Sequence, residues 1–212
     1  MTWLNKQMPN PTEAALAASI DALLPQTQCG LCLFTGCKPY AEALAAKEAP
    51  IDACLPGGVP TLKAIAETLS LDPSSFIEGM KEKEKLPAIA SIQEETCIGC
   101  TKCIQACPTD AIIGASKKMH SIIAADCTDC ELCIPPCPMD CIEIIPVQRT
   151  DHEKGLKSSA WRKLYNLRTD RLERKKKEDQ KSAPKLSKTT QSRQEAIASA
   201  LKRAQKKRET RG

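Results

Sequence analysis

Residues 95–112 read ETCIGCTKCIQACPTDAI, and 30 positions further on residues 125–142 read ADCTDCELCIPPCPMDCI. The two stretches align almost column by column, so residues 93–146 form an internal repeat of two short halves. Each half carries C-x2-C-x2-C-x3-C-P: Cys97, Cys100, Cys103 and Cys107 ahead of Pro108, then Cys127, Cys130, Cys133 and Cys137 ahead of Pro138. Three thiolates two residues apart wrap one face of a cubane, with the intervening backbone N–H groups aimed at its sulfides; the fourth cysteine, held by proline, turns away. Zinc ribbons use two well-separated cysteine pairs instead.

The spacing is that of bacterial two-cluster ferredoxins, in which the fourth cysteine of each run ligates the other cluster. It predicts one [4Fe-4S] cluster on Cys97, Cys100, Cys103 and Cys137, and another on Cys107, Cys127, Cys130 and Cys133. Ile98, Ile104, Ile112, Ile134 and Ile142 stand among these ligands, where they would exclude water and so help set the reduction potential. Ile112, Ile113 and residues 142–145 are β-branched strand material. Each half therefore reads as a short strand, a cysteine loop and a helical turn. Cys141, which the repeat aligns with Ala111, reads as a small buried core residue.

Twelve of the 13 cysteines fall into sets of four, the remaining set being Cys29, Cys32, Cys37 and Cys54, spaced C-x2-C-x4-C-x16-C. That pattern is less specific and leaves open a [4Fe-4S] cluster, a four-thiolate zinc site or a half-occupied cluster. No apolar leader with a cleavage site opens the chain, so the thiols are expected in a reducing, cytoplasmic setting, free to act as ligands. With two residues each of Trp, Tyr and Phe, a large aromatic core is excluded, and metal coordination is expected to supply much of the stability. No run approaches the roughly 18 apolar residues of a membrane span; the nearest, residues 14–24, carries Asp21.

Helical patterns cover residues 11–24 (PTEAALAASIDALL, with Thr12 as a candidate N-cap and Pro25 as the stop), 39–48 and 60–69. Gly30 and Gly36 mark the first cysteine loop, and Pro56-Gly57-Gly58 a turn after Cys54. The third helix is expected to pack back on the first two. The run KEKEK at 81–85 reads as a hinge. The organisation expected is α+β: a small helical four-cysteine cluster domain (1–80), a linker (81–92), a two-[4Fe-4S] ferredoxin-like domain (93–147), and a basic, partly helical or disordered tail (148–212).

Residues 149–212 hold 21 Lys and Arg against 8 Asp and Glu, a surplus of +13, whereas the first 148 residues carry −8. Helix is expected at about 158–177 and 191–207 with a break at Pro184, the whole being exposed. Such a tail suits peripheral contact with anionic lipid or an electrostatic footprint on nucleic acid, although it lacks the aromatic interleaving of single-strand binders. His120 and His152 have no partner at metal-ligand spacing and read as partly exposed structural residues. There is no G-x-G-x-x-G, phosphate-binding loop or nucleophile elbow, which excludes nicotinamide binding and hydride chemistry and leaves the chain without a catalytic site of its own.

The segments DALLPQTQCGLC, GCKPYAEA, CLPGG and EETCIGCTKCIQACPTDAIIGASKKMHSIIAADCTDCELCIPPCPMDCIEI together resemble the RnfB family, the iron–sulfur component of the Rnf electron transport complex, also called Rsx, over about residues 11–147. The resemblance implies a third [4Fe-4S] cluster on Cys29, Cys32, Cys37 and Cys54, in a component that passes electrons within a membrane complex coupling electron transfer to ion movement. Relatives also reduce a redox-sensing transcription factor. Redox partner proteins and other Rnf/Rsx components are the partners so implied, with peripheral residence on the cytoplasmic face of the inner membrane. Family members usually begin with a transmembrane anchor, whereas this chain starts MTWLNKQMPNPTEAA, so a form without that anchor is expected. Leu33 and Asp129 stand where glycine is usual, and the tail after Val147 lies outside the family pattern. Two other functions fit the same residues: a redox-sensing or nucleic-acid-associated iron–sulfur protein, and the electron-transfer component of a larger oxidoreductase.

Overall fold

A proline followed by a run of alanine and leucine starts the first helix, α1 (Pro11–Leu23). Pro11 occupies a first-turn position whose N–H would have no intrahelical partner, so Thr12 lies within the first turn and is not the cap. The computed structural model describes residues 11–83, 85–148, 151–182 and 188–209, apart from the side chains of residues 11, 151–156, 182, 188–192 and 204–209. The chain divides into two compact units, Met1–Thr169 and Asp170–Gly212.

In the first unit, α2 (Cys37–Ala45) starts two residues before the expected Pro39. It ends where Lys47 turns left-handed (φ 60) and the N–H groups of Lys47 and Glu48 close on the carbonyls of Leu44 and Ala43 at 3.0 and 2.8 Å. The third helix, α3 (Gly58–Leu69), tolerates Pro60 in its first turn and stops at left-handed Ser70. Helix α4 (Ile77–Lys83) follows. The core between these helices is aliphatic: Ile20, Leu24, Leu44, Leu62 and Ile65 are buried around a single tyrosine, Tyr40, whose hydroxyl donates to Pro50 O at 2.8 Å.

The KEKEK run is not a solvated hinge. Lys81, Glu82 and Lys83 complete α4, and Lys85 is drawn into the second half of the repeat, 3.2 Å from Asp129 Oδ1 and 3.0 Å from Glu131 Oε1. Composition alone could not reveal this, because its partners lie more than 40 residues away.

Strand β1 (Ala88–Ile92) pairs antiparallel with β4 (Ile142–Pro146), and β2 (Ile112–Ile113) with β3 (Ser121–Ile122), while α5 (Lys102–Ala106) follows the first cysteine loop. Each two-stranded sheet takes one strand from each half of the repeat. The 30-residue offset maps the cross-strand pair Ile92–Ile142 onto Ile122–Ile112, so the halves are related by a pseudo-two-fold axis. Backbone conformation repeats as well: Gly99 and Asp129, Thr101 and Glu131, and Asp110 and Asp140 are all left-handed.

Leu33 and Asp129 both occupy left-handed backbone, with φ of 67 and 60, which explains why glycine is the easier residue at each. A left-handed residue with a Cβ costs about 1–2 kcal/mol. Leu33 is 96% exposed and recovers nothing by burial. Asp129 offsets the cost by accepting the Ala88 N–H on Oδ2 at 3.0 Å and by its ion pair with Lys85.

The basic segment begins inside this unit, contrary to the expectation of an exposed tail. Within α6 (Asp151–Ser182), Trp161 is 4% exposed and its Nε1 donates to Ala125 O at 3.4 Å. Arg162 forms an ion pair with Asp21 and donates to the Asp21 carbonyl at 2.8 Å. Arg168 meets Asp110 Oδ1 at 3.3 Å and donates to Gln105 O. Trp161, Tyr165 and Arg168 recur at four- and three-residue spacing, one helical face that the surrounding charge conceals. In the second unit, the rest of α6 and α7 (Lys188–Glu209) are exposed wherever their side chains are described. The expected break at Pro184 lies outside the described residues, as does the side chain of His152.

Candidate metal centres

Two cavities open between the halves of the repeat. The first is lined by Cys97, Cys100, Cys103, Cys137 and Cys141, the second by Cys107, Cys127, Cys130 and Cys133. In each, three sulfurs come from one run; the opposite half adds Cys137 and Cys141 to the first and Cys107 to the second. The cause is local: α5 ends at Ala106 with the Cys107 N–H donating to Cys103 O at 3.0 Å, the Cys107 backbone turns extended (φ −67, ψ 121), and Pro108 cannot continue the helix, so the Cys107 side chain leaves its own run. The walls are completed by aliphatic residues: Ile92, Ile98 and Ile142 in the first cavity, Ile112, Ile122 and Ile144 in the second.

Left-handed residues between the cysteines, Gly99 and Thr101 in one run and Asp129 and Glu131 in the other, make the alternating backbone that gathers N–H groups into an anion-binding nest. Several N–H groups reach sulfur directly. Ala111 N donates to Cys107 Sγ at 3.3 Å and Ala90 N to Cys127 Sγ at 3.5 Å. At Cys137, burial raises the thiol, but the backbone N–H groups of Cys141 and Met139, the Cys141 thiol and the Asp140 N–H outweigh it and hold the group below the ordinary cysteine value.

Elsewhere burial prevails. It pushes the Cys133 thiol up to about 12, and negative charge at Cys130, Cys127 and Cys107 adds to the shift; burial likewise raises Cys103, with Cys100 and Cys97 contributing. Clustered thiolates in apolar surroundings repel one another, and a cationic iron core relieves that repulsion. At least four cysteines per cavity, largely aliphatic walls and N–H donors to sulfur are a donor set that suits an iron–sulfur cluster. Among the described residues, no three His, Cys, Asp or Glu side chains are grouped so as to hold a single metal ion between them.

Cys32, Cys37 and Cys54 lie at the edge of the helical core, with Cys37 buried and Cys32, Cys54 and Cys29 half-buried, and Cys29 is near enough for its charge to act on Cys37 and Cys54. Burial pushes Cys37 up to about 12, with negative charge at Cys29, Asp21 and Cys32 adding to it. Burial also raises Cys54 strongly, with contributions from Cys37, Cys29 and Cys32. A relay of buried amides shapes this loop: Gln26 Nε2 donates to Asp21 O at 2.7 Å, Gln28 Nε2 to Gln26 Oε1 at 2.9 Å, and Cys37 N to Gln28 Oε1 at 2.9 Å. Gly36 is required beside it, since a Cβ there would stand 2.7 Å from Gln28 Oε1. Thr128 Oγ1, in the second cavity's cysteine loop, donates to Thr27 O at 3.0 Å and ties the two loops together.

Cys141 is buried as expected, with its sulfur 3.5 Å from Cys137 Sγ. His120 departs from expectation: it is 1% exposed, lines the first cavity and places Nδ1 3.3 Å from Cys103 Sγ. Searching for metal-ligand spacing misses such a residue. Comparing the repeat halves would have singled it out, because its counterpart 30 positions earlier is Ala90.

Residues 90–144 match the family model described as a 4Fe-4S dicluster domain, and residues 24–56 the model described as "Putative Fe-S cluster". Among curated relatives, the B component of the ion-translocating oxidoreductase complex of Alkalilimnicola ehrlichii is 56% identical over 132 residues, covering 62% of this chain and 71% of that protein. Its namesake in Aeromonas hydrophila is 59% identical over 131 residues, 62% of this chain and 69% of that protein. The one in Ectopseudomonas mendocina is 56% identical over 137 residues, 64% and 69% respectively.

Proposed function

The chain belongs to the RnfB family of ion-translocating oxidoreductase complexes, iron–sulfur electron-transfer proteins, and we propose that it relays single electrons through three [4Fe-4S] clusters. Their ligands are Cys29, Cys32, Cys37 and Cys54; Cys97, Cys100, Cys103 and Cys137; and Cys107, Cys127, Cys130 and Cys133. The observation that carries this reading is the sorting of the two C-x2-C-x2-C-x3-C runs into two cavities, each taking the fourth cysteine of the opposite run, with Cys141 also in the wall of the first. A [4Fe-4S] cluster supplies a one-electron couple; the chain holds it, excludes water with isoleucine and tunes it through N–H groups on the thiolates.

The hydrogen bond from Thr128 to Thr27 supports a relay that does not follow chain order. In this order the N-terminal cluster neighbours the one on Cys107, Cys127, Cys130 and Cys133, and the remaining cluster is the far terminus. Other components of an ion-translocating complex are the partners this family membership favours.

Anaerobically purified protein is expected to contain about twelve irons and about as many acid-labile sulfides per chain, the content of three cubanes, with EPR signals after dithionite reduction. About eight irons, or stoichiometric zinc, would remove the N-terminal cluster from the proposal.

Among the described residues no helix is long and apolar enough to cross a membrane. We assign membrane contact to residues 170–212, which hold 15 Lys and Arg against 6 Asp and Glu and expose Ile197 and Leu201 one turn apart on α7. Each basic residue near an anionic surface contributes about 1 kcal/mol. Full-length protein is expected to sediment with phosphatidylserine vesicles at low salt, and a chain ending at Thr169 to stay in the supernatant with its iron content unchanged. Equal sedimentation of both would eliminate this role.

A further inference from the structure

The pseudo-two-fold axis predicts two equivalent clusters, and several positions break that equivalence: the first cavity has Cys141 and His120 where the second has Ala111 and Ala90. Ala90 and Ile144 face each other across the β1–β4 ladder. The 30-residue offset carries this pair onto His120 and Gly114, one step beyond the Ile113–Ser121 pair that ends the β2–β3 ladder. Side-chain volume is exchanged across the strands: a small residue opposite a large one in the first case, a large one opposite glycine in the second. The exchange is obligatory, because a Cβ on Gly114 would overlap the His120 imidazole at Cδ2. The fold has therefore made room for a histidine ring in the wall of only one of the two cavities.

The ring is not there as filler alone. It is 1% exposed, its Nδ1 lies 3.3 Å from Cys103 Sγ, and its Nε2 has no hydrogen-bond partner. A thiolate can only accept, so a hydrogen bond at that distance requires the proton on Nδ1. The same tautomer leaves Nε2 as a bare lone pair, not a buried donor without an acceptor.

Charge differs between the cavities in the same sense. The second is lined by Asp129 and Glu131, paired with Lys85; their counterparts near the first are Gly99 and Thr101. Donors to cysteine sulfur stabilise the reduced, more negative cluster, and carboxylates oppose it.

We infer that His120 is a positioning residue that donates from Nδ1 to the Cys103 thiolate and sets the cluster of Cys97, Cys100, Cys103 and Cys137 at a higher potential than its pseudo-symmetric partner. The inference rests on the ligand sets proposed above. If the Thr27–Thr128 contact orders the relay, the higher potential falls on the cluster farthest from the N-terminal one.

The test is an EPR-monitored redox titration of the full chain, with the relevant cluster identified as the signal that Cys100→Ala removes. His120→Leu is expected to make reduction of that cluster about tenfold less favourable, about 59 mV for one electron, with the other signals unmoved. His120→Asn, which keeps a donor near the Nδ1 position, is expected to restore most of the difference. Because His120→Leu can lose the cluster by misfolding, the unsubstituted protein gives an independent reading. With 15N-histidine incorporated and His152→Ala as a background, pulsed EPR of the reduced cluster is expected to show coupling to an imidazole nitrogen.

An iron-replete His120→Leu protein with unchanged potential, a shift shared by all clusters, or absence of the nitrogen coupling would each overturn the inference. Failure of Cys100→Ala to remove any cluster would instead overturn the ligand sets, and the inference with them. Iron content distinguishes the two cases.

Discussion

Cys107→Ala is expected to abolish the cluster held by Cys127, Cys130 and Cys133 while sparing the one whose ligands include its own near neighbours, Cys100 and Cys103. Cys107 lines the second cavity with Cys127, Cys130 and Cys133, and Ala111 N donates to its Sγ at 3.3 Å. Cys130, Cys127 and Cys107 are likewise the neighbours whose charge raises Cys133. Cysteine thiolates are the usual ligands of a [4Fe-4S] cluster, and the nearby Thr109 hydroxyl, 3.8 Å from Cys107 Sγ, is a poor substitute.

Iron should fall by about four per chain, one cubane, and the surviving EPR signal should be the one that Cys100→Ala removes. Loss of the opposite signal would show that each run closes on its own fourth cysteine. On the proposed ligand sets the effect extends to folding, since Cys107 and Cys137 would each coordinate one half of the repeat to the other.

Anaerobic removal of iron by a chelator is expected to unfold residues 88–146 while leaving much of the helical part in place. The ferredoxin-like segment has only two short two-stranded ladders. Five of the nine buried residues in its core are cysteines, beside Ala90, Ala111, Ile112 and Ile142. Without coordination, those sulfurs are crowded weak acids around two cavities, and loss of ligand bonding is loss of folding free energy. The helical core has Tyr40, Leu44, Leu62 and Ile65 and does not depend on metal to the same degree.

Trp161, packed against Ala125, reports on the junction. In a Trp3→Phe background its emission should shift to that of a solvated indole on chelation, together with loss of the strand signal but not the helical signal in circular dichroism. An iron-free protein that melts cooperatively at the same temperature as the loaded one would contradict the argument.

The elements most legible in the sequence were those with local causes. Helices α1 and α3 follow from proline-initiated runs of alanine and leucine. β2 and β4 follow from isoleucine runs after each fourth cysteine. Strands β1 and β3 carry no comparable signal: AIASI and SI are short, and they exist because β4 and β2 pair with them. α4 was hidden under a charged run whose last lysine serves as an ion-pair partner for Asp129 and Glu131. The exposed-tail reading failed between residues 158 and 169, where three residues on one face, Trp161, Tyr165 and Arg168, are diluted among charges that dominate any composition average.

By itself the sequence determined the chemistry. Cysteine spacing restricts which sulfurs can wrap one cubane, and that restriction acts through a few covalent bonds, so no knowledge of the fold is needed to read it. The repeat likewise implied two related halves.

Only the tertiary structure decided what surrounds each set of sulfurs. It placed a buried histidine on Cys103, carboxylates beside the second cavity, and a helix from the basic segment against both cysteine-rich regions. Those contacts join residues far apart in the chain: 17 positions for Cys103 and His120, 101 for Thr27 and Thr128, 141 for Asp21 and Arg162. Local propensity does not reach over such separations; packing of the whole unit does.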